Sequence, residues 1–426
     1  MRFKLVSSIF TFLLIFISFL GFSQNREKTK ERIIELSSPE YHGRGYINDG
    51  CNKAADYIAE EMEKIGVKSF PEGYFQELEF DVNTFPGKLQ VNIDDEKLVP
   101  GVDFLIGPAT PSVNDRFTLY KPDSLLLNDT TAFKKKLEND IFLDQMLVVD
   151  YAQTENIEIK KFYIRIMMDN EHFGGIVELI PEELMWAVRT FQNDYPVVKV
   201  KRESYPEDAE ELTLKVKAKM QFNYEVKNVI GYIEGETDEF IVLTAHYDHL
   251  GRMGKKVYIP GAQDNASGTA MVLDFAEYYA DVKPHYSIAF MLFAGEEAGL
   301  FGSINYVTNP LFDLSKIKMV INLDMVGTGD DGITVVNGAS PDYKKEWELF
   351  EELNIEWEFF TNLKARGEAA NSDHYPFHAV GVPAVFIYTM GGKTYYHNPK
   401  DTPETLTFTG YEALFDLIIG FIDKYE

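Results

Sequence analysis

The second half of the chain alternates apolar runs with helical segments, and this alternation restricts the possible folds more than any other feature. Helical patterns cover residues 268–280, 347–353 and 411–425. The apolar runs that precede or separate them are NVIGYIEG, EFIVLTAH, YSIAFMLFAG, KMVINLDMVG and VPAVFIY. Strands that alternate with helices predict an α/β domain with a mainly parallel mixed sheet flanked by helices.

The first half predicts two further parts. Within residues 24–82, Ala54, Ile58 and Met62 recur at helical spacing and mark one apolar helix face. Between residues 83 and 225 the pattern changes to short β-rich runs separated by turns, such as LQVNI, QMLVVDY, GGIVELI and LTLKVKAKM. We therefore expect a smaller β-rich domain at 83–225, inserted between residues 24–82 and 226–426 of the main domain.

The N-terminus has the pattern of a secretory signal peptide. Arg2 and Lys4 precede an uncharged apolar run from Leu5 to Phe22, and small residues stand at the −3 and −1 positions of a cut after Ser23. Cleavage of residues 1–23 predicts an exported protein, periplasmic or extracellular, without stable membrane insertion. The alternative is a retained anchor, because the run is about as long as a short transmembrane helix.

Charge and cysteine content exclude several classes of site. The chain carries 68 acidic and 41 basic side chains, for a formal net charge of −27. This balance argues against a nucleic-acid partner, which requires clustered Lys and Arg, and against docking on anionic lipid. The single cysteine, Cys51, is expected to be a small buried residue. It excludes an intramolecular disulfide and a cysteine-rich zinc module, so any metal must take His, Asp and Glu ligands.

Histidine and acidic residues lie at or shortly after the ends of the predicted strands. In open α/β sheets, ligands bind beyond the carboxyl ends of the strands. Imidazole and carboxylate donors in such a place suit zinc. These residues are His246, Asp248, Asp264, Glu296, Glu297, Asp324 and His397.

The motifs that contain these residues resemble those of the M28 family of zinc metallopeptidases, the co-catalytic two-zinc aminopeptidases. The matching pieces, in the family's order, are TAHYDHLG, PGAQDNASGTA, FAGEEAGLFGS, INLDMVG, NSDHYPF and HNPKDTPE. The resemblance implies the zinc-peptidase fold and two zinc ions per chain. One ion would be held by His246 and Asp324, the other by Glu297 and His397, with Asp264 bridging them.

The same resemblance implies details of the bridging loop. Some relatives carry a second Asp before the bridging one, whereas this chain has Gln263, which leaves Asp264 as the bridging carboxylate. Such relatives have a cis peptide after that Asp, so we expect one between Asp264 and Asn265.

Catalytic roles follow from chemistry and from the resemblance together. Hydrolysis of a peptide bond needs a carboxylate that takes a proton from water and passes it to the leaving amine. Glu296, beside Glu297, is expected to be this general base and acid. Tyr396, directly before His397, is a candidate donor to the oxyanion, and the alternative is a tyrosine elsewhere in the chain.

Two further acidic residues are expected to orient the metal ligands without binding the metal themselves. Asp248 is expected to hydrogen-bond His246 and to fix its tautomer. Asp373, in NSDHYPF, is expected to play a similar supporting part.

These expectations favour an exported di-zinc metallopeptidase that acts on peptides, with aminopeptidase specificity. The alternatives are a glutaminyl cyclase, a carboxypeptidase or dipeptidase of the same fold, and a non-catalytic receptor-like scaffold. Arg366, near NSDHYPF, is the residue that would favour recognition of a substrate carboxylate. The order of strands and helix in 83–225 resembles a protease-associated domain, and an insert without a separate role is the alternative.

Overall fold

The structure is a computed structural model that describes residues 25–122, 129–150, 156–393 and 395–425. The predicted signal peptide, residues 1–23, lies outside the described residues. Within the described ranges, no helix is both long and apolar enough to cross a bilayer.

The strands are bounded as follows. In chain order they are β1 (Lys68–Ser69), β2 (Phe75–Thr84), β3 (Leu89–Ile93), β4 (Glu96–Lys97), β5 (Phe104–Ile106), β6 (Val113–Tyr120), β7 (Phe142–Asp150), β8 (Phe173–Ile180), β9 (Val197–Lys201), β10 (Glu211–Val216), β11 (Lys219–Ile233), β12 (Phe240–His246), β13 (Arg252–Met253), β14 (Val257–Tyr258), β15 (Ser287–Phe293), β16 (Ile317–Leu323), β17 (Gly332–Val336), β18 (Leu363–Arg366) and β19 (Ala384–Met390).

The α-helices complete the framework. They are α1 (Arg26–Leu36), α2 (Gly50–Ile65), α3 (Thr130–Asn139), α4 (Ile157–Met168), α5 (Ser267–Asp281), α6 (Glu296–Gly299), α7 (Phe301–Thr308), α8 (Lys344–Trp357), α9 (His374–Ala379) and α10 (Tyr411–Lys424).

The larger sheet confirms the predicted α/β fold. Its order is β1-β11-β15-β12-β16-β19-β17-β18, with β2 paired to the first part of β11. The four central strands β15, β12, β16 and β19 are parallel, whereas β11 and β17 join them antiparallel. Every residue of β12 and of β15 is buried. Burial on both faces explains why these strands are continuous apolar runs rather than alternating ones.

Helices cover both faces of this sheet. Along β12, Ile241, Leu243 and Ala245 pack into one core, with α1, α2, α5, α8 and α10. Phe240 and Val242 pack into the other, with α7 and α9. The alternation follows from the two-residue period of a strand, which sends successive side chains to opposite faces.

The insert forms a second sheet. The chain leaves the larger sheet after Thr84 and re-enters it at Lys219, so β11 begins before the predicted boundary at 225. The order of the second sheet is β4-β3-β10-β6-β7-β8-β9-β5, and β6 to β9 are parallel. One face carries its own core around α3 and α4, and the other packs into the core of the main domain. The likeness to a protease-associated domain stays a prediction.

Candidate metal centre

The parallel strands deliver the predicted side chains to one edge of the larger sheet. His246 is the last residue of β12, and Asp324 directly follows β16. Glu296 and Glu297 open α6, just after Gly295 turns the chain away from β15 with φ +75°. Because carboxyl ends of parallel strands share an edge, these residues meet there although they lie far apart in the chain.

Asp264 lies in a loop that the buried carboxylate of Asp401 holds in place. The peptide between Asp264 and Asn265 is cis, as expected. The carboxylate of Asp401 accepts hydrogen bonds from the main-chain N–H groups of Gln263 (2.9 Å) and Asp264 (3.1 Å). These contacts hold the loop against the HNPKDTPE segment, which also carries His397.

The five predicted ligands fall into two pairs that share one carboxylate. Nε2 of His246 lies 3.3 Å from Oδ1 of Asp264 and 3.4 Å from Oδ1 of Asp324. Nε2 of His397 lies 3.2 Å from Oδ2 of Asp264 and 3.1 Å from Oε2 of Glu297. Asp264 therefore presents one oxygen to each pair.

These separations fit zinc. Tetrahedral zinc with N and O ligands at 2.0–2.1 Å places neighbouring ligand atoms about 3.3–3.4 Å apart. Moreover, Oδ1 of Asp324 is buried and has no hydrogen-bond partner among the described residues. Buried polar atoms are normally satisfied, so an oxygen left free and aimed at His246 suits a metal ligand.

The electrostatics favour a cation at this edge. Burial disfavours the charged imidazole of His397, yet Glu297 and Asp264 raise its pKa to about 11. Burial likewise disfavours the charged carboxylate of Glu297, but His397 and His249 lower its pKa to about 2. Carboxylates gathered in a buried site need positive charge nearby, and a divalent ion supplies it.

Asp248 supports the site through its main-chain carbonyl and through its carboxylate. Its main-chain carbonyl lies 3.1 Å from Nδ1 of His246, so the expected contact with His246 is made by the carbonyl rather than by the carboxylate, which is 3.7 Å away. The carboxylate instead accepts hydrogen bonds from Tyr46 Oη (2.7 Å) and from the N–H of Glu296 (3.2 Å). It thereby fixes the start of α6.

Glu296 lies beside the first ligand pair. One of its carboxylate oxygens is within 4.8 Å of ligand atoms of His246 and Asp324. Burial, together with Glu297 and Asp373, raises the pKa of Glu296 well above its ordinary value, although His246 opposes this. A carboxyl that can hold a proton next to two candidate ligands suits a group that takes and returns protons.

Tyr396 lies at the outer side of the site. The residue is 46% exposed, and its ring stacks on that of His397 with centroids 3.7 Å apart. It is therefore accessible to a molecule that enters from solvent.

The NSDHYPF segment contributes two residues. Asp373 is buried and accepts a 2.5 Å hydrogen bond from Ser303, and burial raises its pKa to about 7. Ser372, which the sequence analysis did not single out, donates to Oδ2 of Asp324 at 3.0 Å. This bond engages Oδ2 of Asp324, so Oδ1 stays directed toward His246. The only signal for Ser372 was its place beside Asp373 in the motif.

His249 is a further residue that the sequence analysis missed. It is fully buried, and its Nδ1 lies 2.7 Å from Oε1 of Glu297. That separation is a hydrogen bond, shorter than the spacing of the ligand pairs. The signal was its position three residues after His246 in TAHYDHLG.

Arg44 organises the loops behind the site. Its buried guanidinium donates hydrogen bonds to the carbonyls of Tyr247 (2.7 Å), Gly261 (2.7 Å) and Asp264 (3.2 Å). Two further bonds reach Leu36 and Pro260. Five donors in one rigid fork thus tie the SSPEYHGRG segment to the bridging loop.

Arg366 does not join this cluster. It ends β18, the outermost strand, and its register partner Val336 pairs with Phe386, which pairs with Asn322 of β16. Three strand spacings, about 14 Å, therefore separate its backbone from β16. Its charge nevertheless acts on His374 in the NSDHYPF segment, where it helps to lower the pKa of that histidine to about 4, after the larger effect of burial.

The comparisons with known proteins agree with this fold. Residues 228–422 match the model of peptidase family M28. Aminopeptidase YwaD of Bacillus subtilis (strain 168) is 30% identical over 242 residues, which cover 53% of this chain and 50% of that protein. The chain thus spans about half the length of this curated relative.

Solved structures share the fold over nearly the whole chain. A zinc aminopeptidase from Bacillus subtilis, BSAP, superposes with a TM-score of 0.68 and 21% identity, with 93% of each chain covered. A peptidase M28 precursor from Shewanella amazonensis gives a TM-score of 0.71 and 16% identity, with 94% of this chain and 93% of that one covered. At these identities the likeness shows the fold.

Proposed function

We propose that the protein is an exported aminopeptidase that uses two zinc ions to release N-terminal residues from peptides. The observation that carries the proposal is the pair of ligand clusters that share Asp264, each with separations that suit tetrahedral zinc. The match of residues 228–422 to peptidase family M28 and the likeness to named aminopeptidases support it.

The residues divide into holding and reacting groups. His246 and Asp324 would hold one ion, Glu297 and His397 the other, and Asp264 would bridge them. Bound zinc supplies Lewis acidity toward the peptide carbonyl and lowers the pKa of water. Glu296 would take the proton from that water and return it to the leaving amine, which its raised pKa favours. Tyr396 would donate its hydroxyl to the oxyanion.

The likeness to named aminopeptidases supports specificity for a free N-terminus. Aminopeptidase YwaD is 30% identical over the matched part of the chain. Two bound zinc ions would offset the charge of the carboxylates that converge on the site, so charge alone does not select a substrate amine over a substrate carboxylate. Aminopeptidase action is therefore proposed from this likeness, and matched peptides test it.

The substrate proposal can be tested with matched peptides. The mature chain from Gln24, loaded with zinc, would be incubated with a free-amine peptide and its N-acetylated twin, and the products followed by mass spectrometry. Stepwise loss of N-terminal residues from the free peptide alone is expected. Loss from the other end of both peptides would establish a carboxypeptidase, and cyclisation of an N-terminal Gln without cleavage would establish a glutaminyl cyclase.

The role of Glu296 can be tested by Glu296→Gln, which keeps size and removes the proton-accepting oxygen. Turnover should fall by several orders of magnitude while zinc content stays unchanged. Near-normal activity of this variant would contradict the assignment. Retention of zinc without any cleavage by the wild-type chain would favour a non-catalytic scaffold.

A further inference from the structure

The insert reaches the metal centre through one extended stretch, residues 183–188, which we call the docking segment. Its side chains alternate in exposure: Leu184, Trp186 and Val188 are buried, whereas Met185 is 51% exposed. This alternation is that of an extended chain packed on one side. The docking segment follows β8 of the insert and runs beside the loop that carries His397.

The docking segment holds both the backbone and the ring of His397. The main-chain N–H of Trp186 donates to the carbonyl of His397 at 3.0 Å. The carbonyl of Trp186 lies 3.1 Å from Nδ1 of the same histidine. Because a carbonyl only accepts hydrogen bonds, Nδ1 carries a proton, and Nε2, which faces Asp264 and Glu297, is the nitrogen that would bind a metal ion.

Neighbouring contacts fix the docking segment in place. Asn398 donates from Nδ2 to the carbonyl of Leu184 at 2.7 Å. On the insert side, the indole N–H of Trp186 donates to the carbonyl of Ile106 in β5 at 2.8 Å, and its ring packs against Phe85. Trp186 is thus clamped between the insert and the His397 loop.

The conformation of His397 itself needs such support. Its φ is +55°, in the left-handed region that side chains with a β carbon rarely adopt. Contacts from the docking segment to both its carbonyl and its ring determine the backbone and the side chain together.

We propose that the docking segment is a positioning element of the metal centre, so that the insert sets the affinity for the zinc ion that His397 and Glu297 hold. The inference deepens the proposed function in that it takes zinc as the ion. It gives the insert a role in the metal centre, although none of the motifs that resemble the M28 family lies within residues 83–225.

Two variants test this on the full-length mature chain. Trp186→Phe keeps an aromatic ring but loses the donor to Ile106, and Asn398→Ala loses the contact with Leu184. Chelator competition, with zinc per chain measured by elemental analysis, should show one binding step weakened about tenfold in each variant. The other zinc-binding step should be unchanged. His397→Ala should affect the same step as the two variants and thereby identify it as the one that depends on His397.

A matched control separates positioning from general destabilisation. Val188→Ala removes buried volume from the same docking segment without touching a bond to His397, so it should lower thermal stability and leave both zinc steps unchanged. Wild-type zinc curves for Trp186→Phe and Asn398→Ala would overturn the inference, as would equal weakening of both steps. The inference would also be overturned if His397→Ala bound zinc with the same two steps as the wild-type chain. A chain that binds zinc as expected but cleaves no peptide would contradict only the proposed function.

Discussion

Nδ1 of His249 lies 2.7 Å from Oε1 of Glu297, while Oε2 of the same carboxylate lies 3.1 Å from Nε2 of His397. An ionised carboxylate only accepts hydrogen bonds, so Nδ1 of His249 is the donor, and His397 together with this bond lowers the pKa of Glu297 to about 2. One oxygen of Glu297 is therefore engaged by a buried histidine and the other is directed to the second ligand pair. His249 selects which oxygen is available to a metal ion.

Replacing His249 should lower the affinity for the zinc ion that Glu297 and His397 would hold. His249→Phe keeps an aromatic ring, of somewhat larger volume, and removes the donor, so Glu297 loses its fixed orientation. Loss of such a supporting hydrogen bond costs about 10- to 100-fold in metal affinity. Metal analysis under chelator should show this loss, with a parallel fall in kcat/KM. His285→Phe, at a histidine whose side chain is 63% exposed, is the control and should change neither. Unaltered zinc affinity in His249→Phe would show that Glu297 needs no such partner.

Tyr396→Phe separates transition-state stabilisation from metal binding. The substitution keeps the ring that stacks on His397 and removes only the hydroxyl. Loss of one oxyanion donor lowers kcat by about 10²- to 10³-fold. We expect a fall of that order with little change in KM or zinc content, measured by steady-state kinetics on a peptide substrate. Tyr395→Phe, at the preceding residue, should be neutral. A Tyr396→Phe variant with wild-type kcat would assign the oxyanion donor to another residue.

Arg44→Lys should destabilise the fold although it keeps the charge. Five carbonyls accept from the guanidinium, whereas an ammonium group offers three donors without the planar fork. Each buried group left without a partner costs about 1–3 kcal/mol, so a loss of about 3 kcal/mol or more in the free energy of unfolding is expected. Urea unfolding measures it. Arg252→Lys, at a less buried arginine, should cost far less, and an equal loss in both variants would contradict the argument.

Glu178→Gln should stabilise the insert at neutral pH. Burial raises the pKa of Glu178, and Lys199, its neighbour across β8 and β9, only partly offsets this. Between the ordinary carboxyl pKa and the raised one, the folded chain binds a proton that the unfolded chain has released. Stability therefore falls as pH rises through this window.

The glutamine variant cannot ionise and should lose this dependence. Its free energy of unfolding should exceed that of the wild type at pH 7 and match it below about pH 4, where the carboxyl is protonated in both states. Denaturant titrations at the two pH values test this. Glu182→Gln, at an exposed position, should show no such difference. A variant that is less stable at pH 7 would show that the attraction to Lys199 outweighs burial.

The fold of the main domain could be predicted from local pattern because its parallel strands are buried on both faces. Runs such as EFIVLTAH and YSIAFMLFAG have no other stable place than the middle of a covered sheet. The helix face formed by Ala54, Ile58 and Met62 is likewise buried as predicted. The long strand β11 was divided between two predicted domains, because its first half pairs with β2 and only its second half with β15.

The sequence by itself determined which side chains stand at the ends of the strands, since chain order and strand direction bring His246, Glu297 and Asp324 to one edge. Only the tertiary structure decided what holds them there. His249 meets Glu297 across 48 residues, and Trp186 meets His397 across 211. Such pairings depend on how distant segments pack, and the Trp186 contacts are made by main-chain groups, which every residue carries. No residue pattern therefore marks them in the sequence.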